Sequence, residues 1–595
     1  MIVGIDVGGT HTDGVLIKSK TGSRTEDDYE ILSTSKVVTD QVDLMSSIVN
    51  ALDNLISGEE NKEIKRIVLS TTLATNAILE EKYDPVGLIL IPGPGRNPEY
   101  LKYGDENLIL SGYINHRGQQ EKSLDEDEVI KGLKQLEAHD IKNVAVIGKF
   151  SIRNPKQEEK VIEIINNNSY SFQVVTAGHQ LSGRLNFPRR VVTAYFNSAV
   201  TPIHQDFIKA IKEALKARKI KAEVFLLKCD GGTIPLEKSV RVPVQTVNLG
   251  PAASIMGVMT LGQLGQQKKT AVSLDIGGTT TDIGLFIDGE PVFMPEGIDI
   301  NGLPTLVRGL YSVSIPLGGD SQISVEKGCL QIGPQRSGPA AACGGPAPTP
   351  TDALLILGYI GDDQDYEKGF DLEAARQSLS SLSTKLNPLE YEGYLRRAGA
   401  DRDKPSVDVL AEIIIDQMTD TIVRKIREII HSLENKPVYT ISELLNGLTI
   451  KPQVLLGMGG PAKALLKRLA KKLQYQAELI PYAKVANAIG AAFARPTLGT
   501  TVRVDTATAY LDIVEAGVHR QIRDGEVFNI DKAEELAIDW TKKRAENSKT
   551  VVEITDKESF NVIRGFRTLG EIMEVKAQIK PGPIARLQRG ERNYE

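Results

Sequence analysis

The chain repeats one fifteen-residue motif, and this repeat limits how the chain can fold more than any other feature. Val3–Ile17 (VGIDVGGTHTDGVLI) and Val272–Phe286 (VSLDIGGTTTDIGLF) start 269 positions apart and agree at eight of fifteen positions. Each copy is an apolar run ending in Asp, then Gly-Gly-Thr, a Thr-Asp pair and a second apolar run. This pattern predicts two strands joined by a tight turn. The repeat therefore predicts a duplicated fold.

The composition of the predicted turns favours anion binding. Paired glycines let backbone N–H groups approach an anion, because no Cβ stands in the way. Threonine hydroxyls can donate to phosphate oxygens, and aspartate can hold a metal ion that phosphate also binds. One such turn is weak evidence, but two turns from duplicated halves could grip one polyphosphate from both sides. No GxxxxGK[ST] sequence occurs, and no GxGxxG opens a helix after a strand, which excludes a P-loop and disfavours NAD.

Size and composition narrow the class of protein. A chain of 595 residues predicts two to four domains. A net charge of −6 argues against nucleic acid or an anionic membrane surface as partner. No apolar run reaches the roughly 18 residues of a membrane span, and the first residues enter a strand without a secretory signal pattern. Cys229, Cys329 and Cys343 form no CxxC pair, which favours a cytoplasmic location.

Apolar strand-like runs alternate with amphipathic stretches to about residue 500, which indicates an α/β architecture. We expect strands at Ile67–Ser70, Val86–Ile91, Val144–Ile147, Val174–Ala177, Val224–Lys228 and Val454–Leu456. We expect helices at Leu44–Ile56, Asp125–Ala138, Pro155–Asn166, Thr201–Ala217, Val407–Leu433 and Ala462–Leu473. The predicted domains are residues 1–195, residues 196–500 and a C-terminal α+β region over residues 501–595, with short strands and a helix near Ala533–Asn547.

A third glycine-rich element follows the second repeat. Val454–Lys463 (VLLGMGGPAK) predicts a buried strand, a turn containing Gly457, Gly459, Gly460 and Pro461, and then a helix. Glycine there allows a base or a ribose to lie against the backbone, and the helix N-terminus adds a positive dipole. Ala483–Ala494 (AKVANAIGAAFA) predicts a helix of small residues suited to close packing between lobes.

These four segments, in this order, resemble the actin/Hsp70/sugar-kinase superfamily. The resemblance implies duplicated ribonuclease-H-like (actin-like ATPase) lobes with an ATP cleft between them. The two repeats are similar to that superfamily's phosphate-binding hairpins. Gly457–Ala462 is similar to its adenosine segment, and Ala486–Ala492 to its second connecting helix.

The resemblance narrows at Ser70–Lys82 (STTLATNAILEEK). This segment is similar to the TT-x-ATNA-hydrophobic-x-E-x-K sequence of the hydantoinase A/5-oxoprolinase family, which includes N-methylhydantoinase A and acetone carboxylase β-subunit-like proteins. Further agreement covers nearly all of residues 1–500, in the segments Gly112–Leu136, Asn154–Pro155, Lys228–Thr233, Leu249–Ser254, Ile332–Gly338 and Pro348–Asp352. One departure is clear: Tyr311–Asp320 (YSVSIPLGGD) stands where the family commonly has Asp-x-His-Thr before a glycine-rich run. Any metal or substrate contact made by that Asp and His is lost or changed here.

Family membership implies ATP-dependent activation of a cyclic amide (a hydantoin, 5-oxoproline or another lactam) or a carbonyl compound, for hydrolysis or carboxylation. It further implies Mg²⁺ organised by Asp6 and Asp275. The expected phosphate- and nucleotide-contacting residues are Gly8, Gly9, Thr10, His11, Thr12, Asp13, Gly277, Gly278, Thr279, Thr280 and Asp282, with Gly457, Gly459, Gly460 and Pro461 for the adenosine. The expected substrate contacts are Thr71, Thr72 and Asn76, for which a capped helix start is the alternative reading.

The implied partner is a hydantoinase B-type subunit that completes the hydrolysis or carboxylation. Two other functions remain open on the same residues. A stand-alone small-molecule kinase would release a phosphorylated product without a partner. An ATP-driven activator or chaperone of another enzyme would bind protein in a nucleotide-dependent way. Homo-oligomerisation and the identity of the substrate are also left open, since specificity loops carry no readable code.

Overall fold

The computed structural model describes residues 1–20, 29–40, 42–56, 63–95, 97–104, 106–262, 264, 268–294, 296–361, 369–387, 391–392, 405–435, 449–545 and 550–587. Helices and strands alternate through most of these ranges, which confirms the predicted α/β class. No helix within them combines the length and the apolar character needed to cross a membrane.

Elements of residues 1–262 form two sheets with flanking helices. The strands are β1 (Ile2–Val7), β2 (His11–Ser19), β3 (Tyr29–Val38), β4 (Arg66–Thr71), β5 (Val86–Ile91), β6 (Glu106–Ile109), β7 (Tyr113–Ile114), β8 (Gln120–Lys122), β9 (Asn143–Gly148), β10 (Val174–Ala177), β11 (Glu223–Leu227) and β12 (Thr233–Pro235). The helices are α1 (Leu44–Leu55), α2 (Leu73–Leu79), α3 (Glu126–Ala138), α4 (Lys156–Asn167), α5 (Gly178–Leu181), α6 (Phe187–Ala217), α7 (Leu236–Ser239) and α8 (Leu249–Leu261).

The next group of elements surrounds the second repeat. The strands are β13 (Ala271–Ile276), β14 (Thr281–Ile287), β15 (Glu290–Pro291), β16 (Asp299–Ile300), β17 (Leu303–Pro304), β18 (Ser312–Ile315), β19 (Ile323–Glu326), β20 (Cys329–Ile332), β21 (Val454–Met458) and β22 (Gln476–Leu479). The helices are α9 (Pro350–Ile356), α10 (Leu372–Ser383), α11 (Val407–Glu434), α12 (Ala462–Leu473) and α13 (Ala486–Phe493).

Each repeated hairpin lies at the centre of a sheet with the same strand pattern. The first sheet has the order β12-β11-β4-β1-β2-β3, in which β1, β4 and β11 are parallel and β2 is antiparallel to both neighbours. The second runs β18-β14-β13-β21-β22, with β13, β21 and β22 parallel and β14 antiparallel to both neighbours. The two sheets therefore share one ribonuclease-H-like topology, and the predicted duplicated fold is confirmed.

Two further large sheets follow, beside the two-stranded pairs β7-β8, β16-β17 and β19-β20. Parallel strands β10-β9-β5-β6 form a separate sheet whose sequence lies between β4 and β11. After the second ribonuclease-H-like sheet, an antiparallel sheet β25-β24-β23-β27-β26 packs against one helix. Its elements are β23 (Gly499–Asp505), β24 (Tyr510–Ile513), β25 (Val518–Gln521), α14 (Ile530–Arg544), β26 (Val552–Arg564) and β27 (Arg567–Ile579). Strands β26 and β27 have thirteen residues each, so the prediction of short strands was wrong for this pair.

Small residues let α8 and α13 cross at close range between the two repeated sheets. A Cβ built on Gly490 would lie 2.3 Å from the backbone nitrogen of Gly257. Helix α13 also presses on β1, because a Cβ on Gly4 would lie 2.2 Å from the carbonyl oxygen of Ala488. Both distances are far below a normal contact, so only glycine fits at these crossings. The predicted role of the small-residue helix in close packing is confirmed.

Helix α6 begins earlier than the sequence pattern predicted. We expected a start at Thr201, next to Pro202, but the helix runs from Phe187 and carries Pro202 in its interior. Asn186 caps the start by accepting a hydrogen bond from Arg189 N at 3.3 Å. An interior proline costs about 3 kcal/mol through its missing N–H. The continuous burial of residues 190–201 offsets that cost.

Candidate active site

The turns of the two repeated hairpins face each other. A Cβ built on Gly9 would lie 3.7 Å from Oγ1 of Thr279, and one built on Gly278 would lie 3.3 Å from Cγ2 of Thr10. Residues 269 positions apart along the chain are thus brought into contact distance. Both Gly-Gly-Thr sequences therefore lie at one place in the fold.

The two turns are closed in the same way. Gly8 N donates to His11 O at 3.0 Å, and Gly277 N donates to Thr280 O at 2.9 Å. These equivalent hydrogen bonds hold each Gly-Gly-Thr in a tight four-residue loop. The sequence repeat is therefore also a repeat of backbone conformation.

His11 is a neutral member of the first turn near pH 7. Its Nδ1 lies 3.1 Å from Oγ1 of Thr10. Burial, with the positive charges of Lys36 and Arg336, lowers the pKa of His11 to about 4. The imidazole can therefore orient the Thr10 hydroxyl without adding a positive charge to the turn.

Asp6 and Asp275 occupy equivalent positions near the carboxyl ends of β1 and β13. Asp6 is buried, with 5% of its surface exposed. Burial, together with the neighbouring carboxylates of Asp13 and Asp275, raises the pKa of Asp6 to about 7 against the opposing effect of hydrogen bonding by Ser70 and Asn487. Burial also raises the pKa of Asp275, whose Oδ2 accepts a hydrogen bond from Nδ2 of Asn487 at 2.9 Å. Two acids with raised pKa values thus share one site.

A second pair of acids lies opposite the first in the strand register. Asp13 pairs with Asp6 across β1 and β2, and Asp282 pairs with Asp275 across β13 and β14. Nζ of Lys36 contacts Asp13 Oδ1 at 2.8 Å. Burial and the Asp275 charge raise the pKa of Asp282 to about 7. The four carboxylates therefore repel one another, and a bound cation would relieve that repulsion.

Thr12 and its counterpart in the second hairpin point into the protein interior. Thr12 is fully buried, and its Oγ1 lies 3.0 Å from Oγ1 of Thr39. Thr281, the equivalent residue, donates from Oγ1 to Leu317 O at 2.7 Å. The Thr12 hydroxyl thus has a partner in Thr39, just after β3, and its burial disfavours a contact with phosphate. The predicted contact between Thr12 and phosphate stays a prediction.

The predicted adenosine segment ends beside Asp275, because β21 pairs with β13. Gly459 has a φ of +89°, and a Cβ there would lie 2.8 Å from Asp275 Oδ1 and 2.2 Å from Ile276 O. Glycine is required at this position by both conformation and space. A Cβ on the exposed Gly460 would meet no atom within 4 Å, so this residue borders open space.

Two other residues of that segment serve packing. Gly457 is buried within β21, where a Cβ would lie 2.9 Å from Leu466 Cδ1. Pro461 precedes α12, and its Cγ would lie 3.1 Å from a Cβ on Gly319. The structure thus assigns Gly457 to the interior and places Pro461 against the glycine-rich run after β18.

That run packs directly on the second turn. The backbone N–H groups of Gly319 and Asp320 donate to the carbonyls of Gly277 and Gly278 at 2.9 and 2.7 Å. Arg336 lies 3.4 Å from Asp320 Oδ2. Burial raises the pKa of the Asp320 carboxyl, and the Arg336 charge opposes the rise. The segment that departs from the family pattern therefore adds a charge pair at the edge of the site.

The predicted substrate segment starts at the same sheet edge as Asp6. Thr71 lies opposite Val7 in the parallel register of β4 and β1. Its Oγ1 accepts a hydrogen bond from Leu73 N at 3.2 Å, and Asn76 Nδ2 donates to Thr72 Oγ1 at 3.4 Å. These contacts order the start of α2, and Thr72 and Asn76 keep part of their surface exposed. Their predicted contact with substrate stays a prediction.

Sequence reasoning missed Asn487 and Lys36. Asn487 is the one polar residue of α13 (ANAIGAAF), a signal that could have drawn attention to it. It lies 212 residues after Asp275 and reaches it only through the tertiary fold. Lys36 lies on β3, in a strand of mixed polar composition with no motif around it.

The acids fit a cation that phosphate also binds. No group of three or more His, Cys, Asp or Glu side chains in the described ranges is arranged as a complete metal site. Asp6 and Asp275 could supply two carboxylate ligands, with the remainder coming from water and phosphate oxygens, as Mg²⁺ prefers. Burial is the main cause of the raised pKa of both acids, and for Asp6 the carboxylates of Asp13 and Asp275 add to it.

Comparison with known proteins places the chain in a family. The sequence profile described as "Hydantoinase/oxoprolinase N-terminal region" matches residues 2–169, and the profile described as "Hydantoinase/oxoprolinase" matches residues 190–499. The acetophenone carboxylase gamma subunit of Aromatoleum aromaticum is 27% identical over 66% of this chain and 57% of its own length. Caprolactamase subunit alpha of Pseudomonas jessenii is 24% identical over 82% of this chain and 69% of its own length.

Solved structures agree on the fold. Nucleotide-free acetone carboxylase has a TM-score of 0.67 at 17% identity, covering 100% of this chain and 89% of its own. The ATP-dependent caprolactamase of Pseudomonas jessenii has a TM-score of 0.65 at 18% identity, covering 99% and 88%. The chain spans 57% of the length of the first curated relatives. One family profile alone covers more than half of the chain, and the protein therefore belongs to the hydantoinase/oxoprolinase family.

Proposed function

We propose that the protein is an ATP-dependent hydantoinase/oxoprolinase-type subunit, which phosphorylates and so activates a cyclic amide or a carbonyl compound for hydrolysis or carboxylation. The observation that carries the proposal is the pair of facing Gly-Gly-Thr turns, each preceded by an aspartate whose pKa is raised by burial. Family membership supports it, since relatives bear the names caprolactamase subunit alpha and 5-oxoprolinase 1.

The nucleotide would lie between the turns. Backbone N–H groups of Gly9, Thr10 and Gly278–Thr280 would contact the β- and γ-phosphates, and the threonine hydroxyls at positions 10, 279 and 280 would donate to them. Gly8 and Gly277 would shape the turns, because their N–H groups already donate to His11 O and Thr280 O. The base and ribose would lie over Gly459–Pro461, where Gly460 leaves open space. Helix α12 begins directly after this loop, and the positive end of its dipole would attract the negative charge of the phosphates.

Asp6 and Asp275 would hold Mg²⁺, with Asn487 fixing the Asp275 carboxylate by its hydrogen bond. When bound, the ion supplies neutralisation of the negative charge on the phosphates. Asp13 and Asp282 lie directly opposite these two acids in the strand register, and Lys36 compensates the charge of Asp13. Phosphoryl transfer needs positioning and charge compensation more than covalent help from side chains, and these residues provide both.

The reaction is written here for a lactam. The amide oxygen attacks the γ-phosphorus, the bond from that phosphorus to the bridging oxygen of ADP breaks, and ADP leaves. The O-phosphorylated imidate is strongly electrophilic, so water adds at its carbon. The C–N bond then breaks and the nitrogen takes up a proton, which leaves an acyl phosphate at the former amide carbon. A second water hydrolyses this acyl phosphate to the carboxylate and releases phosphate. Thr71, Thr72 and Asn76, at the edge of the sheet beside Asp6, would orient the amide.

A second subunit belongs to the proposal. Relatives are named as the gamma subunit of acetophenone carboxylase and the alpha subunit of caprolactamase, so each is one part of an assembly. For this chain we propose a hydantoinase B-type partner that receives the activated compound and completes the reaction. This division of the reaction predicts that ATP turnover by this chain and ring opening by the complex can be measured separately.

The test is an ADP-release screen over hydantoins, 5-oxoproline, other lactams and ketones, run with and without the B-type protein. The expected result is ADP release that depends on one class of these compounds and on Mg²⁺. Asp6→Asn and Asp275→Asn should each lose most of that release, and Asp84→Asn, an exposed carboxylate, is the matched control. Full ADP release in either site variant would remove that residue from the cation site.

Three other outcomes are informative. A stable phosphorylated product formed without the partner would favour a stand-alone kinase. Nucleotide-dependent capture of another protein without small-molecule turnover would favour an activator or chaperone. Absence of nucleotide binding by the wild-type chain would contradict the proposal as a whole.

A further inference from the structure

A recessed cavity of about 1190 Å³ lies apart from the facing turns. Its walls come from α6, from the segment after β11 and from the C-terminal sheet. None of the residues proposed above for nucleotide, cation or substrate contributes to this lining. The volume is sufficient for a small organic molecule together with water.

The segment after β11 forms one wall, and its two charged side chains neutralise each other. Lys228 Nζ lies 3.2 Å from Asp230 Oδ2, and the same oxygen accepts a hydrogen bond from Gln578 Nε2 at 2.8 Å. Asp230 Oδ1 accepts from Gly232 N at 2.9 Å. The Lys228 charge and these hydrogen bonds keep the pKa of Asp230 low despite its burial. Asp230 is thus fully engaged and has little capacity left for a positively charged ligand.

A second wall carries polar atoms that lack partners. Arg308 pairs through Nη2 with Glu553 at 2.7 Å and stacks 4.2 Å over the Phe293 ring, yet its buried Nη1 has no hydrogen-bond partner among the described residues. Thr497, 8% exposed, has a buried Oγ1 that is equally unpartnered within those residues. Buried polar groups are nearly always hydrogen-bonded, so two such donors on one cavity point to a ligand.

Lys576 supplies a positive charge that the carboxylates of Glu515, Asp556 and Glu574 compensate only in part. It lies on β27 two residues before Gln578, so both side chains are on the same face of the strand. Its Nζ has neither a hydrogen bond nor an ion pair with any described residue. The nearby Glu515 carboxylate already accepts hydrogen bonds from Thr501 N and Thr501 Oγ1, at 2.6 and 2.8 Å. Burial lowers the pKa of Lys576, and the carboxylates of Glu515, Asp556 and Glu574 oppose this lowering without reversing it.

The cavity as a whole is basic. Its lining contains seven Lys and Arg residues against three Asp and Glu residues, an excess of four positive charges. Arg184, one of these basic residues, is paired at 3.0 Å with Asp556, which lies outside the lining, so three positive charges remain in excess. Each of the three lining acids is already engaged in a contact described above. Two of the basic residues, Lys238 and Arg241, are exposed and lie at the rim. An anion entering this cavity would therefore meet favourable charge both at the rim and inside.

The remaining lining indicates that the anion is organic. Val244, Leu306 and Val307 are buried apolar residues of the cavity wall, and Phe293 and Met294 add further apolar surface. Inorganic phosphate would leave this surface in contact with water. A carboxylate with a hydrocarbon body would cover it and would also satisfy the cationic groups.

We propose that this cavity is a second ligand site, separate from the facing turns, that binds a small organic carboxylate through Lys576, with Arg308 Nη1 and Thr497 Oγ1 as further donors. The inference stands apart from the proposed function, because it needs neither ATP nor the facing turns. It assigns to the C-terminal sheet a part in ligand binding, since Lys576 and Gln578 both come from β27.

The test is isothermal titration of the nucleotide-free protein with acetate, succinate and glutarate, with inorganic phosphate as the inorganic anion and succinamide as the neutral isostere. We expect saturable binding of at least one carboxylate, and at least tenfold weaker binding of succinamide and phosphate. Lys576→Met should weaken carboxylate binding at least tenfold, and Thr497→Val should weaken it severalfold. Lys238→Met, which removes a rim charge, should change the affinity less than twofold.

A second measurement works on the unmodified chain and so does not depend on the variants folding. Carbamoylation of Lys576 by cyanate, followed by mass spectrometry, should be slowed by the carboxylate that binds, whereas carbamoylation of Lys238 should be unaffected. The inference is overturned if no carboxylate binds, if phosphate or succinamide binds equally well, or if Lys576→Met retains wild-type affinity. Loss of binding in Asp6→Asn would instead place the carboxylate in the facing turns. Failure of the ADP-release screen leaves all of these results unaffected.

Discussion

Replacing Asp6 by asparagine should stabilise the protein at high pH. Asp6 has a pKa raised by burial from 3.8 to about 7, so the folded protein holds a proton that the unfolded chain releases. Stability is therefore lost as the pH rises from about 4 to about 7, and the full loss is about 4 kcal/mol. About 1.6 kcal/mol of it is already lost at pH 5, so between pH 5 and pH 8 the wild type should lose about 3 kcal/mol relative to Asp6→Asn.

The assay is thermal unfolding followed by far-ultraviolet circular dichroism at pH 5 and pH 8, without nucleotide or divalent cation. For a cooperative unit of about 200 residues, a change of 3 kcal/mol in the free energy of unfolding shifts the melting temperature by roughly 6–12 °C. The melting temperature of Asp6→Asn minus that of the wild type should therefore increase by this amount between pH 5 and pH 8. Asp84→Asn, the exposed control, should show no such increase. The reasoning is refuted if Asp6→Asn is less stable than wild type at pH 8, or if the difference between the two proteins is independent of pH.

Three further substitutions test the geometry around the turns. Gly459→Ala should lower the melting temperature and impair nucleotide binding, because the left-handed φ alone costs about 1–2 kcal/mol and the new Cβ would meet Ile276 O. Gly460→Ala should fold normally. Equal melting temperatures for the two variants would contradict this prediction. Asn487→Leu should lower ATP turnover at least tenfold with an unchanged circular dichroism spectrum, because Asp275 loses its hydrogen-bond donor; unchanged turnover would remove Asn487 from the site. Thr12→Val should destabilise by about 1 kcal/mol through the lost hydroxyl pair but leave nucleotide affinity within twofold in equilibrium titration, and a tenfold loss of affinity would establish Thr12 as a phosphate contact.

The sequence predictions succeeded where the structure depends on residues close together in the sequence. Both hairpins, the strand–turn–helix at Val454–Lys463 and the small-residue helix were predictable because their patterns are local. The start of α6 was not, since a proline normally ends a helix and only tertiary burial shows that this one does not. The separate sheet of β5, β6, β9 and β10 was also not predicted, because the apolar sequence of a buried parallel strand does not indicate which sheet it joins.

The site divides in a similar way. Asp6 and Asp275 were identified from the repeat, and the fold then placed their turns face to face. The inward orientation of Thr12 depends on its partner on the far side of the hairpin, Thr39, which no motif marks. Asn487 was overlooked for a related reason: only the tertiary fold brings this asparagine within hydrogen-bond distance of Asp275.

The sequence by itself determined the duplicated fold, the family and the chemical character of the two turns, because these depend on residue types at short, fixed spacings. The tertiary structure decided which groups share a charge environment and which donors lack partners. It set the raised pKa of Asp6, through burial beside acids from another part of the chain. It also assembled the basic cavity from Lys228, Arg308, Thr497 and Lys576, which are up to 348 positions apart. Electrostatic and hydrogen-bonding energies depend on distance in space, and sequence separation carries no record of that distance.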